Sequence, residues 1–224
     1  MKYLRKFENE ASVLMFTLPN VVLADDTGKL FYNVDSSGVY IQHVDGSLYT
    51  TDKWTEAGFA SELANGVAVI STEARFVISK TNASESTWIN WLPNSLVDGV
   101  MLTSDLETAK TDYAGFENTS RMINSKSSVT SGAAYLCANY VFPNGQTGYL
   151  PALGEWMIVA RYKDEVKSAL TLIGGSSIED SWSSTQYSAT EAWKFNRFFG
   201  TEYGTKAPAG ATATLPRAFT TLTL

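Results

Sequence analysis

The rhythm of apolar and polar positions changes along the chain, and each change marks an element. From Asn20 to Thr50 short apolar runs alternate with turn residues: Val21-Val22-Leu23-Ala24, Asp26-Thr27-Gly28, Leu30-Phe31-Tyr32, Ser36-Ser37-Gly38, Val39-Tyr40-Ile41. Runs this short, bounded by Gly, Asp and Ser, predict strands joined by tight turns. Near Gly66 a new unit opens, where Val67-Ala68-Val69-Ile70 and Phe76-Val77-Ile78 flank a polar turn and predict a hairpin. Between Ser79 and Ser128 a surplus of Ser, Thr, Asn and Asp erases any period. That stretch predicts loops with one short helix around Asp105 to Tyr113.

Helical spacing emerges after Ser131. Ala133, Ala134, Leu136, Cys137 and Tyr140 recur on one face, which places Cys137 inside as a structural thiol. Beyond the turn Pro143-Asn144-Gly145, Pro151 suits a first helical turn. Trp156, Val159, Val166 and Leu170 then continue an apolar face until Gly174-Gly175, with a break expected near Tyr162-Lys163-Asp164. From Ser176 to Leu224 Ser, Thr, Tyr, Phe, Ala and Gly dominate, and Trp182, Trp193, Phe195 and Arg217-Ala218-Phe219 are spaced as short strands between loops. The pattern predicts an α+β chain with a small β-rich N-terminal region over 1–50 and a main domain over 51–224.

The first residues imitate a secretion signal, since Lys2, Arg5 and Lys6 precede Ala11 to Leu18 and Val21-Val22-Leu23-Ala24. Glu8-Asn9-Glu10 and Pro19-Asn20 interrupt that pattern, and no apolar run reaches the roughly 18 residues of a membrane span. A short helix over about Lys6 to Phe16, followed by an extended docking segment, is the expectation. No membrane insertion is expected.

Composition narrows the chemistry. The 224 residues are 44% hydrophobic, 12% aromatic and 18% charged, a balance that builds a core and argues against a disordered chain. With 17 Lys and Arg against 23 Asp and Glu, the net charge of −6 is the wrong sign for a nucleic-acid partner. One Cys and one His cannot form an internal disulfide or a Cys/His zinc cage. A Ser-His-Asp triad would rest on His43, which lies in a strand-and-turn pattern with no serine elbow nearby. Glu155, on an apolar helix, is the residue most like a catalytic acid, yet its position equally suits a carboxylate that ties down a neighbouring backbone N–H. No cofactor and no metal are expected.

A resemblance sharpens this reading. Gly148-Tyr149-Leu150-Pro151-Ala152-Leu153-Gly154-Glu155-Trp156, Leu172-Ile173-Gly174-Gly175, Trp182-Ser183-Ser184-Thr185, Ala192-Trp193, Gly200 and Arg217-Ala218-Phe219 occur in one order. That order resembles variable proteins with a C-type lectin fold, the targets of diversity-generating retroelements in phages and bacteria. The resemblance covers about Gly66 to the C-terminus. Tyr3-Leu4-Arg5-Lys6-Phe7, with Leu18-Pro19-Asn20-Val21 and Tyr32-Asn33, also looks like a leader of phage structural proteins of gut bacteria.

The resemblance implies a receptor-binding protein rather than an enzyme, carried on a phage tail fibre or tail tip and serving host recognition. Its partners would be a cell-surface protein or glycan receptor and the tail assembly, with the chain a homo-oligomer, for which a trimer would suit a fibre, and residues 1–50 its attachment or oligomerisation region. A constant structural protein of the virion and an exported bacterial surface adhesin are the alternatives. Mutation directed at adenines scatters Asn-type codons into Tyr, Ser, Thr, Ala, Asp, Phe and Gly but never into Trp. The variable region would span about 183–219. Trp182, Trp193, Gly200 and Arg217 resemble its fixed frame, and Tyr187, Ser188, Ala189, Thr190, Asn196, Phe198, Phe199, Thr201 and Tyr203 resemble its diversified face. Phe195 reads as an inward strand residue, and for Phe198 and Phe199 both orientations stay open.

Two relatives of the fold are set aside by departures. Calcium-dependent lectins use a Glu-Pro-Asn loop and a Trp-Asn-Asp strand, where this chain has Phe142-Pro143-Asn144 and Trp182-Ser183-Ser184. Formylglycine-generating enzymes work through paired cysteines, and Cys137 stands alone.

Overall fold

The computed structural model describes residues 23–24, 30–31, 37–85, 89–91, 94–125, 131–206 and 214–222. The helix expected over Lys6 to Phe16 lies outside them. A two-stranded antiparallel pair, β1 (Leu23–Ala24) with β2 (Leu30–Phe31), precedes the main body and falls in the first two predicted strands.

The main sheet is antiparallel. It comprises β3 (Gly38–His43), β4 (Leu48–Tyr49), β5 (Ala64–Ile70), β6 (Arg75–Ile78) and the C-terminal β10 (Phe219–Thr221), in the order β10-β6-β5-β3-β4. The expected hairpin at 67–78 is therefore its centre. A division of the chain at residue 50 cuts through this sheet, because β3 pairs along its length with β5.

Both faces of β5 are buried, which is why its apolar run shows no alternation. Val67 and Val69, with Ile41, Phe76, Ile78 and Phe219, face two consecutive helices, α5 (Leu153–Arg161) and α6 (Lys163–Leu172), which supply Trp156, Val159, Val166 and Leu170. Ala68 and Ile70 point the other way, into a second layer with Trp91, Met122, Cys137, Leu150 and Trp182. The α5–α6 break falls at Tyr162, as the pattern predicts. Between β4 and β5 lie α1 (Thr51–Glu56) and a short 3-10 helix (Ser61–Leu63).

Two helical expectations need correction. The loop-like region 79–128 holds α2 (Leu106–Ala109), as predicted, but also α3 (Gly115–Ser125). The buried face of α3 carries Gly115, Asn118, Thr119 and Met122, so helical spacing is present with polar residues in place of apolar ones. Pro151 lies before α5 rather than in its first turn, because the helix start is set by tertiary partners described below. The α4 helix (Ala133–Ala138) buries Cys137 as expected, and burial pushes its thiol well above the ordinary range.

The C-terminal part forms a separate three-stranded antiparallel meander, β7 (Ser181–Gln186), β8 (Glu191–Phe195) and β9 (Thr201–Thr205), in that order. The molecule is thus α+β, built on antiparallel sheets with several helices.

Candidate functional site

Strand β7 is buried along its whole length although five of its six residues are Ser, Thr or Gln. Burying such groups is costly unless each finds a partner. Ser183 donates to the Trp193 carbonyl and Gln186 to the Val97 and Val100 carbonyls, while Ser184 and Thr185 find partners at the start of α5, on α3 and on the segment before it. Ser184 donates its N–H to the Pro151 carbonyl at 2.8 Å. Thr185 Oγ1 accepts the Leu153 N–H at 2.9 Å and donates to Asp112 Oδ2 at 2.8 Å. Asn118 Nδ2 donates to Asp112 Oδ2 and to Ser184 Oγ at 3.0 and 3.2 Å. The Gly154 N–H reaches the Asp112 carbonyl at 2.9 Å, and a Cβ on Gly154 would sit 2.5 Å from that oxygen, so this approach demands glycine. The Trp-Ser-Ser-Thr and Leu-Pro-x-x-Gly-Glu segments are one hydrogen-bonded unit.

Glu155 belongs to the same unit. Its Oε2 accepts the Ala152 N–H at 2.7 Å, and its Oε1 accepts the Tyr149 hydroxyl at 2.7 Å. It is buried, and burial, with Asp112 and Glu117 adding to it, raises its carboxyl to about 8 against the pull of those two hydrogen bonds. The geometry is that of a cap on the first turn of α5. His43 accepts the Asp45 N–H through Nδ1 at 3.2 Å and packs its ring among Tyr49, Trp54 and Phe59. Asn144 is tied to Asn65 and Gln146.

Of the four expected frame residues, Trp182, Trp193 and Arg217 are buried and Gly200 is half-buried. Trp182 and Trp193 are buried and send their indole N–H groups to the Ile89 and Thr103 carbonyls at 2.7 and 2.9 Å. Arg217 is buried and donates to the Lys80, Ser176 and Ser177 carbonyls and to Ser176 Oγ; burial lowers its guanidinium to about 10. Gly200 closes the β8–β9 turn against Asn196.

The nine candidate surface residues do not form one cluster. Tyr187, Ser188, Ala189 and Thr190 make the β7–β8 turn, whereas Asn196, Phe198 and Phe199 make the β8–β9 turn at the other end of β8. Four strand steps separate these ends, roughly 13 Å. A meander places its successive turns at opposite ends, which proximity along the sequence conceals. Thr201 and Tyr203 lie on β9, opposite Phe195 and Trp193.

Each end has its own character. At the first, Tyr187 stacks on Tyr203 with centroids 3.9 Å apart and planes 9° apart, and the edge of Trp193 meets both rings. Tyr203 is 50% exposed, and Leu102, bridged to Gln186, is 49% exposed beside β7. At the second, Asn196 Oδ1 accepts the Phe198 and Gly200 N–H groups, both at 3.0 Å, and Phe198 points outward at 86% exposure. Phe199 takes the opposite course. It packs edge-on against Phe195 beneath Lys167 Nζ, with a backbone φ of 63° that side chains rarely adopt. Asn196 is thus a turn-maker and Phe199 an anchor, which leaves Phe198 and Tyr203 as the projecting aromatics of the candidate set.

Residue identities gave no sign that two cations are buried at this sheet, Lys194 on β8 and Lys206 just past β9. Lys206 is buried, with Nζ 4.4 Å from the Trp91 ring centroid and bonded to the Ser95 carbonyl at 3.1 Å and Gln186 Oε1 at 2.9 Å. Burial lowers its ammonium to about 8.

Among the described residues no group of three or more His, Cys, Asp and Glu is placed to hold a metal ion, and no helix is long and apolar enough to cross a membrane. No protein-family model, curated protein or solved structure matches the chain.

Proposed function

We propose that this chain is a ligand-binding protein of the C-type lectin fold, a variable protein of the diversity-generating retroelement type, rather than an enzyme. In this reading it sits on a phage tail fibre or tail tip and recognises the host through the β7–β9 meander and its turns. One observation carries the reading. Phe198 and Tyr203 project from a meander whose buried polar residues are satisfied internally, so aromatic contact area is offered by a rigid support. Rigid Tyr and Phe side chains lose little entropy on binding, and Ser, Thr and Asn around them add adaptable hydrogen bonds. A receptor interface of standard size, about 800 Å² per partner, is wide enough to touch both ends of the meander. Several copies on one particle would raise weak single-site binding about a hundredfold or more.

The motif residues behind the fold assignment support it by being coupled: the Trp182-Ser183-Ser184-Thr185 strand holds the start of the Leu153–Arg161 helix. The test uses the fluorescently labelled chain and a panel of whole bacterial cells. Replacing Tyr187, Phe198 and Tyr203 together by Ala should abolish binding to the strain the parent chain recognises, with the melting temperature within a few degrees. Joint loss of fold and binding would reject the assignment. Sequencing the gene across a population should find substitutions concentrated at adenine-derived positions between 183 and 219, and an even spread would remove the retroelement part.

A further inference from the structure

We propose that the Tyr187–Tyr203 stack is a seat for a cationic side chain, arginine above all, carried by a basic peptide segment of the protein partner. This rests on the reading of β7–β9 as the binding surface and names what one end of it takes.

The stack offers the right surface. Tyr203 keeps half its area in solvent while one face of its ring lies on Tyr187. A stacked pair of phenols presents a negative π face, to which a planar guanidinium adds by stacking as well as by charge. Tyr203 stands on β9, which pairs with β8 and with no other strand among the described residues.

Charge complements the rings. Glu191 opens β8, on the face of Trp193 and two residues from it. Its Oε2 accepts Ser188 Oγ at 3.1 Å, and among the described residues no Lys or Arg forms an ion pair with it. Its carboxylate is felt at the stack: the Tyr187 hydroxyl is pushed up first by its hydrogen bond to Tyr203, then by burial, by Tyr203 and by Glu191. The nearby cations are engaged elsewhere. Lys194 points to the opposite face, against Glu202 and the Trp182 ring, Lys206 is held under Trp91, and Lys110 pairs with Glu107. A guanidinium on Tyr203 would neutralise Glu191 while stacking. A neutral glycan would leave that carboxylate uncompensated, and a sulfated or phosphorylated one would be repelled by it and by the net charge of −6.

The experiment titrates the full chain, followed by Trp fluorescence and calorimetry at about 0.15 M salt, with an acetylated, amidated hexapeptide of alternating Thr and Arg. The matched peptide with citrulline for Arg keeps the shape and removes the charge. The arginine peptide should saturate, and the citrulline peptide should bind at least about tenfold more weakly, a difference of about 1.4 kcal/mol. Glu191→Gln and Tyr203→Ala should each weaken the arginine peptide about tenfold, and Glu62→Gln, which removes an exposed carboxylate from the Ser61–Leu63 turn, should leave it unchanged. Equal binding of both peptides, an unaffected Glu191→Gln variant, or no saturable binding would overturn the proposal. If the peptide fails while binding to whole cells still depends on Tyr203, the cationic ligand is rejected and the binding surface stands.

Discussion

Thr185 caps a helix that begins 32 residues earlier in the chain: its Oγ1 accepts the Leu153 N–H at 2.9 Å, at the first residue of α5. Ala152 occupies the N-cap position and has no side-chain oxygen to offer, so the cap comes from the neighbouring strand. The same hydroxyl donates to Asp112 Oδ2, making strand, helix and the segment before α3 mutually dependent. Thr185→Val keeps the shape and removes both bonds, leaving a buried N–H and a buried carboxylate oxygen each short of a partner. Urea denaturation should show a loss of about 2–3 kcal/mol, with Thr185→Ser recovering most of it. A valine variant as stable as the parent would mean that the cap contributes nothing.

The aromatic residues of the meander divide into support and surface, and stability measurements should separate them. Trp182 is buried, donates its N–H to Ile89 and packs with Leu150, Cys137 and Ala192. Trp182→Ala should cost about 3–5 kcal/mol, enough to prevent folding of a marginal domain. Tyr203→Ala, at a half-exposed position, should stay within about 1 kcal/mol of the parent. Similar losses at the two positions in thermal denaturation would contradict this division.

Glu155 makes stability depend on pH with a defined sign. Its carboxyl lies at about 8 in the folded chain, against 4.5 for the free side chain, because burial opposes its charge. Between those values the folded state holds a proton that the unfolded state has released, so stability falls as pH rises from 4.5 through 8. At about 1.4 kcal/mol per unit, the full window amounts to something on the order of 5 kcal/mol. Glu155→Gln keeps an oxygen for the Ala152 N–H and turns an amide donor toward the Tyr149 hydroxyl. Its stability should lack this decline, so the parent minus variant difference should become more unfavourable with increasing pH. A constant difference from pH 4.5 to 8 would exclude a shifted Glu155.

The core was legible where burial is apolar. Val67 to Ile70, Phe76 to Ile78, and the Trp156, Val159, Val166, Leu170 stripe announce their elements because period and hydrophobicity coincide. The α3 helix escaped because Asn118 and Thr119 occupy its inner face and are satisfied by Asp112 and, far away in sequence, by Ser184 and the Leu150 carbonyl. The start of α5 was misplaced at Pro151 for a related reason: Thr185 and Asp112 define it from outside. At the candidate surface, residue types identified aromatics suited to contact, but only the meander reveals that the 187–190 and 196–199 groups lie at opposite ends. Nor could identity distinguish Phe198 from Phe199. The Asn196 turn and the positive φ of Phe199 send one ring out and the other in.

Lys206 should produce the opposite pH response in a higher range. Its ammonium lies at about 8 in the folded chain, lowered by burial from 10.5. From about 8 to 10.5 the unfolded state therefore binds the extra proton, and this residue makes stability rise with pH across that window. Lys206→Met preserves length and packing over Trp91 while removing the charge and the bonds to Ser95 and Gln186. The variant should be less stable at every pH, because those acceptors lose their donor, and the gap should widen toward alkaline pH. Arg217 and Tyr149 also have shifted values but are present in both chains, so the difference between the two stability curves isolates Lys206. Parallel curves from pH 8 to 10.5 would show that the lysine titrates alike in both states, and that the space beneath Trp91 is open to water.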